Sequence, residues 1–211
     1  MSQGVFAHWP NRITALRFFG ALVLFLVFSI LHRTEAWSAK DPVPGELGWG
    51  VAVCFWLFVV VAATDAVDGY LARRDNLITA FGRVADPFVD KVLIVGAMIY
   101  LAVIDWSAPW FPPGVVVVVL AREFLVTGLR GYVESQGMPF PADWFGKIKM
   151  ILQCIAIGTV LALHGYPWGE ALAQFLSLAG HVFVWATVIT SVGSGVTYVL
   201  RTRKLLLHGV S

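Results

Sequence analysis

Six stretches of the chain are dominated by apolar residues: 15–31, 48–64, 92–104, 110–121, 151–163 and 171–200. A helix that spans a ~30 Å hydrocarbon core needs about 20 residues. The first, second and last stretches approach or exceed that length alone, with Arg17 as the one charged interruption of the first. The third, fourth and fifth have only 12 or 13 uninterrupted apolar residues. Each reaches spanning length if its helix continues through polar residues beside it: 86–91 before the third, 122–130 after the fourth and 147–149 before the fifth. The pattern predicts an all-α, polytopic membrane protein of six transmembrane helices. If the helices alternate from a cytoplasmic N-terminus, every polar extension falls at the cytoplasmic end. Ionisable residues at membrane depth face the bundle interior or a wet cavity rather than lipid. A polar cavity open to the cytoplasm is therefore expected.

Composition agrees. Of 211 residues, 58% are hydrophobic and 13% charged, against roughly 25% charged in soluble domains. Neither a soluble core nor a disordered chain accommodates that balance. Six spans leave no length for a second domain, so residues 1–211 read as one membrane unit. The formal net charge of +2 gives no footprint for nucleic acid. Cys54 and Cys154 lie in apolar runs and read as small buried hydrophobes, not a disulfide. The opening MSQGVFAHWPNR lacks the apolar core of a cleavable signal peptide. In this topology Arg33 and Lys40 are the only two of fifteen Lys and Arg residues in outside loops, as the positive-inside rule requires. The pair Arg73–Arg74 and the tail Arg201–Lys204 fall inside. Most of the nine Trp lie near segment ends, where aromatic residues favour the membrane interface.

The chemistry is concentrated between the second and third stretches, in TDAVDGYLARRDNLITAFGRVADPFVDKV. Asp65 and Asp68 are three apart and Asp86 and Asp90 four apart, so each pair shares a helix face. The two helices are joined by a short loop and are expected to be antiparallel neighbours, so the four carboxylates can meet and must be neutralised. Two hard divalent cations with oxygen ligands match that charge, and a two-metal site suits a diphosphate substrate. Gly69 and Gly82 remove side chains where a ligand approaches, Ala72 keeps the next turn thin, and Arg73 can pair with a phosphate or an Asp. Interhelical salt bridges would explain one such Asp, but not four at these spacings.

The string D-x2-D-G-x2-A-R-x8-G-x3-D-x3-D, complete from Asp65 to Asp90, resembles the signature of the CDP-alcohol phosphatidyltransferase family. The resemblance implies six transmembrane helices and transfer of a phosphatidyl group from a CDP-lipid to an alcohol with release of CMP. It implies two divalent cations, Mg²⁺ or Mn²⁺, held by Asp65, Asp68, Asp86 and Asp90, with Asp90 also the catalytic base. Gly69, Ala72, Arg73, Thr79 and Gly82 would then line the CDP-lipid site, together with Asn11 and Thr14.

Three further segments narrow the acceptor. NRITALR (11–17), DPFVDK (86–91) and AREFLVTGLR (121–130), followed by GKIKMILQ (146–153), resemble the phosphatidylglycerophosphate synthase branch of that family. Met150 stands where that branch usually has Thr. Arg122, Arg130, Lys147 and Lys149 supply four cations opposite the aspartates, more than an uncharged alcohol needs and suited to the phosphate of glycerol 3-phosphate. Arg122 and its neighbour Glu123 are not expected to face each other, because i and i+1 diverge on a helix; a structural pairing of either with another helix is equally compatible. The expected partners are CDP-diacylglycerol, glycerol 3-phosphate and the bilayer, in a bacterial cytoplasmic membrane with both termini cytoplasmic. A homodimer is compatible with the sequence. Two rival readings are a cardiolipin synthase of the CDP-alcohol type, with phosphatidylglycerol as acceptor, and a non-enzymatic anion-handling membrane protein. His181 reads as an interhelical residue and Gln153 as either structural or site-lining. Gly193 and Gly195, beside Ser191 and Ser194, read as helix packing.

Overall fold

The computed structural model describes residues 9–34, 37, 48–74, 80–138 and 144–208; within these, the side chains of 65–74, 80, 81, 83, 145, 147 and 204–208 lie outside the description. Over the described residues the chain is all-helical: α1 (Trp9–Leu31), α2 (Gly48–Arg74), α3 (Ala80–Val103), α4 (Pro113–Ser135), α5 (Trp144–Gly165) and α6 (Glu170–His208). The helices run through the polar extensions as the sequence predicts. One boundary differs. Trp110 and Phe111 form a turn, and α4 begins only at Pro113, where proline's missing N–H costs no helical bond. Among the described residues three helices contain windows long and apolar enough to cross a membrane, Trp9–Leu31, Ile148–Gly165 and Glu170–Arg203, and α2 contributes a shorter apolar run, Gly48–Thr64.

Contacts between helices give their directions. Thr14 meets Asp86, Arg17 meets Asp90 and Ser29 meets Tyr100, so α1 and α3 run in parallel. Gly20 approaches Val61 while Gly50 approaches Leu31, so α2 runs against α1. The pairs Gly165–Ala52 and Gly158–Phe55 set α5 against α2. Arg122–Ser194 and Arg130–Tyr198 make α4 and α6 parallel. Each helix thus reverses its predecessor, and the polar extensions collect at one end of the bundle.

The expected meeting of α2 and α3 at their aspartates lies outside the described residues. Among the described residues these two helices touch little, and α1 packs against both. The small residues Gly20 and Gly96 let α1 approach both helices closely. A Cβ at Gly96 would collide with the Phe25 ring, which is stacked on Tyr100 at 5.6 Å, itself stacked on Phe28 at 5.3 Å.

The opposite end is closed by aromatic packing: Trp37 against Trp106, and Trp106 and Trp110 against His164. His181 stacks on Trp110, in the turn before α4, at 5.3 Å. Cys54 is buried, Cys154 partly so, and no disulfide joins them. The exterior is apolar. Leu16, Phe19, Leu26 and Ile30 on α1, and Phe175, Leu178, Trp185 and Ile189 on α6, are exposed, apolar faces of a kind that a soluble monomer avoids.

Candidate active site

At the polar end, α1 places Asn11, Thr14 and Arg17 on one buried face, the three-residue spacing of a helical stripe. The Thr14 hydroxyl donates to Asp86 Oδ1 at 2.6 Å. Arg17 Nη2 forms an ion pair with Asp90 Oδ1. The Arg17 side chain is 1% exposed but that of Asp90 is 22% exposed, so the carboxylate is held from behind and open in front. Pro87 lies inside α3 between the two aspartates; it donates no backbone hydrogen bond and loosens the helix there.

In front of Asp90 is a cavity of about 840 Å³. Asp90, Lys91 and Pro87 on α3, Arg122, Glu123, Arg130 and Glu134 on α4, Lys149 and Gln153 on α5, and Tyr198 on α6 all line it. Glu123 Oε1 accepts from Arg122 Nη1 at 3.0 Å and from Lys149 Nζ. Arg122 Nη2 donates to the Ser194 hydroxyl, and its guanidinium lies 5.7 Å from the centre of the Tyr198 ring, a cation–π distance. Gly195 makes room for this arm: a Cβ there would stand 3.4 Å from Arg122 Cγ. Arg130 Nη2 reaches Tyr198 Oη at 3.5 Å. Three buried donors beside the cavity, Arg122 Nε, Arg130 Nε and Gln153 Nε2, have no hydrogen-bond acceptor among the described residues. One wall is therefore cationic and rich in N–H groups, and the facing edge carries a carboxylate.

The expectation for Arg122 and Glu123 is corrected. Their Cβ atoms diverge, but both side chains are long enough to curl toward Lys149 and meet over the cavity floor. Of the residues the sequence singled out, Asp90, Arg122, Arg130 and Lys149 share the cavity, with Thr14 and Asp86 paired behind it and Asn11 buried one turn earlier on α1. Gly82 is half-buried near the start of α3. Asp65, Asp68, Gly69, Ala72 and Arg73 fall on the last turns of α2 and Lys147 on the first turn of α5, but their side chains lie outside the described residues, as does Thr79 entirely. Among the described residues no group of three metal-ligating side chains gathers. The donors that are described fit a hard cation: Asp86 and Asp90 offer carboxylate oxygens one turn apart, and both already draw donors from α1, one of them cationic.

A family model for CDP-alcohol phosphatidyltransferases matches residues 7–193. The chain belongs to the CDP-alcohol phosphatidyltransferase family. Among curated relatives, a Bacillus subtilis protein named CDP-diacylglycerol–glycerol-3-phosphate 3-phosphatidyltransferase is 36% identical over 185 residues, covering 86% of this chain and 90% of its own. A Rickettsia bellii protein of the same name is 31% identical over 195 residues, covering 92% and 95%. One from Mycoplasma genitalium, again of that name, is 31% identical over 177 residues, covering 83% and 72%.

Within this CDP-alcohol phosphatidyltransferase, four residues that shape the site had no site role from the sequence: Arg17, read only within its segment, Glu123, whose reading as a partner to another helix its bond to Lys149 matches, Ser194, read as helix packing, and Tyr198. Arg17 carried a signal, as the one charge in an apolar run. Ser194 and Tyr198, four apart on α6, also share a face. The partner each meets depends on helix packing that no local pattern encodes.

Proposed function

We propose that this protein transfers the phosphatidyl group of CDP-diacylglycerol to sn-glycerol 3-phosphate, giving phosphatidylglycerol phosphate and CMP. The observation that carries this reading is the placement of Asp90 and a cationic wall on one cavity. The curated names of full-length relatives support the same acceptor.

Asp65, Asp68, Asp86 and Asp90 would hold two divalent cations, Mg²⁺ or Mn²⁺, which when bound supply charge neutralisation to the diphosphate and to the leaving phosphate of CMP. Gly69, Ala72 and Gly82 leave room for the nucleotide, and Arg73, Thr79, Asn11 and Thr14 contribute polar contacts to it. Asp90 takes the proton from the 1-hydroxyl of glycerol 3-phosphate, and that oxygen attacks the lipid-side phosphorus. Arg17 fixes the carboxylate at the edge of the cavity. Arg122, Arg130, Lys147 and Lys149 receive the acceptor's phosphate, which positions the hydroxyl at Asp90.

One substrate is a lipid and the other is water-soluble, so the polar end of the bundle lies at a membrane surface. Six spanning helices with both termini on the cytoplasmic side of a bacterial inner membrane fit the alternation of helix directions and the apolar exterior. The test is CMP release by purified protein given CDP-diacylglycerol with glycerol 3-phosphate, glycerol or phosphatidylglycerol. Release is expected with glycerol 3-phosphate and at least ~100-fold less with glycerol, which leaves buried cations unpaired. Preference for phosphatidylglycerol would transfer the reading to a cardiolipin synthase.

A further inference from the structure

Glu123 stands out because a carboxylate in a wall meant for an anion works against binding. It is buried, as are Arg122 and Lys149, and it bonds to both. A structural salt bridge pairs one cation with one anion. Here one carboxylate is shared by two cations that also line the cavity, so one unit of positive charge is left over. The second arm of Arg122 is tied to Ser194 on another helix, so the cluster joins α4, α5 and α6 at the cavity floor.

The reaction gives this arrangement a consequence, on the reading that the acceptor carries a phosphate. The hydroxyl of the acceptor reacts while its phosphomonoester passes unchanged into the lipid product. Contacts to that phosphate are therefore equally strong before and after chemistry. Binding of that uniform kind lowers KM without speeding the chemical step, and it opposes product departure. Four cations with no counter-charge would hold the product as firmly as they capture the substrate.

We propose that Glu123 sets product release: by occupying donors of Arg122 and Lys149, it weakens the grip on the phosphomonoester so that phosphatidylglycerol phosphate can leave into the bilayer. It is a positioning residue, acting through the two cations it holds, and it touches neither reacting atom.

The experiment compares wild type with Glu123→Gln and Glu123→Asp in detergent–lipid micelles, reading steady-state constants, pre-steady-state CMP formation and inhibition by inorganic phosphate. The Gln variant keeps the size of the side chain and removes its charge. Releasing about one charge-assisted contact to phosphate shifts affinity about 10-fold. Glu123→Gln is therefore expected to lower KM for glycerol 3-phosphate and the inhibition constant of phosphate about 10-fold each. Its kcat falls by a similar factor, with a burst of about one CMP per enzyme before the slow phase. The KM for CDP-diacylglycerol stays unchanged. Glu123→Asp keeps the charge and shows no burst. A Glu123→Gln enzyme with a raised KM for glycerol 3-phosphate and no burst would overturn the proposal, since a merely structural role predicts that result. If Glu123→Gln does not fold, Glu123→Gln/Lys149→Met replaces it. That pair restores the single net charge and is expected to show no burst, and a burst there would overturn the proposal equally. Failure of the underlying acceptor reading is seen separately, as wild type that releases no CMP with glycerol 3-phosphate.

Discussion

Arg17 is the residue on which the site's order depends most. It crosses from α1 to Asp90, and burial on its own side with exposure on the other aims one carboxylate into the cavity. Arg17→Met should lower kcat by ~10²-fold while KM for glycerol 3-phosphate changes little, because a mobile carboxylate loses alignment and not acceptor affinity. Arg17→Lys should recover only part of the rate, since an ammonium lacks the planar fork of a guanidinium. Asp90→Asn should lose kcat by at least the ~10²–10⁴-fold of a general base; a variant with only a raised acceptor KM would assign Asp90 to binding. Asp65→Asn, Asp68→Asn and Asp86→Asn should each lose most activity while the protein still inserts and folds, and full activity in any one would remove that residue from the metal set. On the opposite wall, the one contact of Arg130 among the described residues is a long one to Tyr198, which leaves it available to phosphate. Arg130→Met should raise KM for glycerol 3-phosphate by ~10- to 100-fold, one charge-assisted contact of about 1.5–3 kcal/mol, with KM for CDP-diacylglycerol unaffected.

At the scale of elements, the seam between α1 and α3 decides whether those residues meet. The two helices touch through Thr14–Asp86 and Arg17–Asp90 at the polar end, and through Phe25 over Gly96 and Ser29–Tyr100 (2.7 Å) further along. Phe25 cannot yield, because Tyr100 and Phe28 are stacked behind it. Gly96→Ala should destabilise the protein by about 1–3 kcal/mol, the usual cost of overpacking, seen as a lower unfolding temperature in detergent. Activity should fall with it, as Asp86 and Asp90 move with α3; a variant of unchanged stability and activity would show that the seam can relax. This seam was the part of the fold hardest to read. Helix lengths were legible, because polar runs at 86–91, 122–130 and 147–149 had to complete short apolar ones. The packing of α1 against both α2 and α3 was not, because no local pattern says which helix faces will meet. For the same reason the sequence identified the cations of the wall but not their partners. Nothing local to Glu123 indicates that Lys149, 26 residues away, bends it over its own neighbour Arg122.

The molecule as a whole is a bundle with one aromatic, tightly closed end and one polar, open end, wrapped in apolar surface. That asymmetry suits a reaction between a lipid and a soluble ester at a membrane face. Chelation of divalent cations should abolish activity and Mg²⁺ or Mn²⁺ should restore it, because four aspartates cannot hold a diphosphate alone; activity that survives thorough chelation would contradict the two-cation site. Raising ionic strength should increase KM for glycerol 3-phosphate only modestly, since the recessed cations are screened less than surface ones. The central claim is that the phosphatidyl group ends on the hydroxyl of glycerol 3-phosphate. The most direct measurement is mass spectrometry of the lipid formed by the reconstituted protein from CDP-diacylglycerol and isotopically labelled glycerol 3-phosphate. The expected product is phosphatidylglycerol phosphate, carrying the label and two phosphorus atoms, in a one-to-one ratio with CMP. Phosphatidic acid without label would contradict the account, as would cardiolipin formed only when phosphatidylglycerol is supplied.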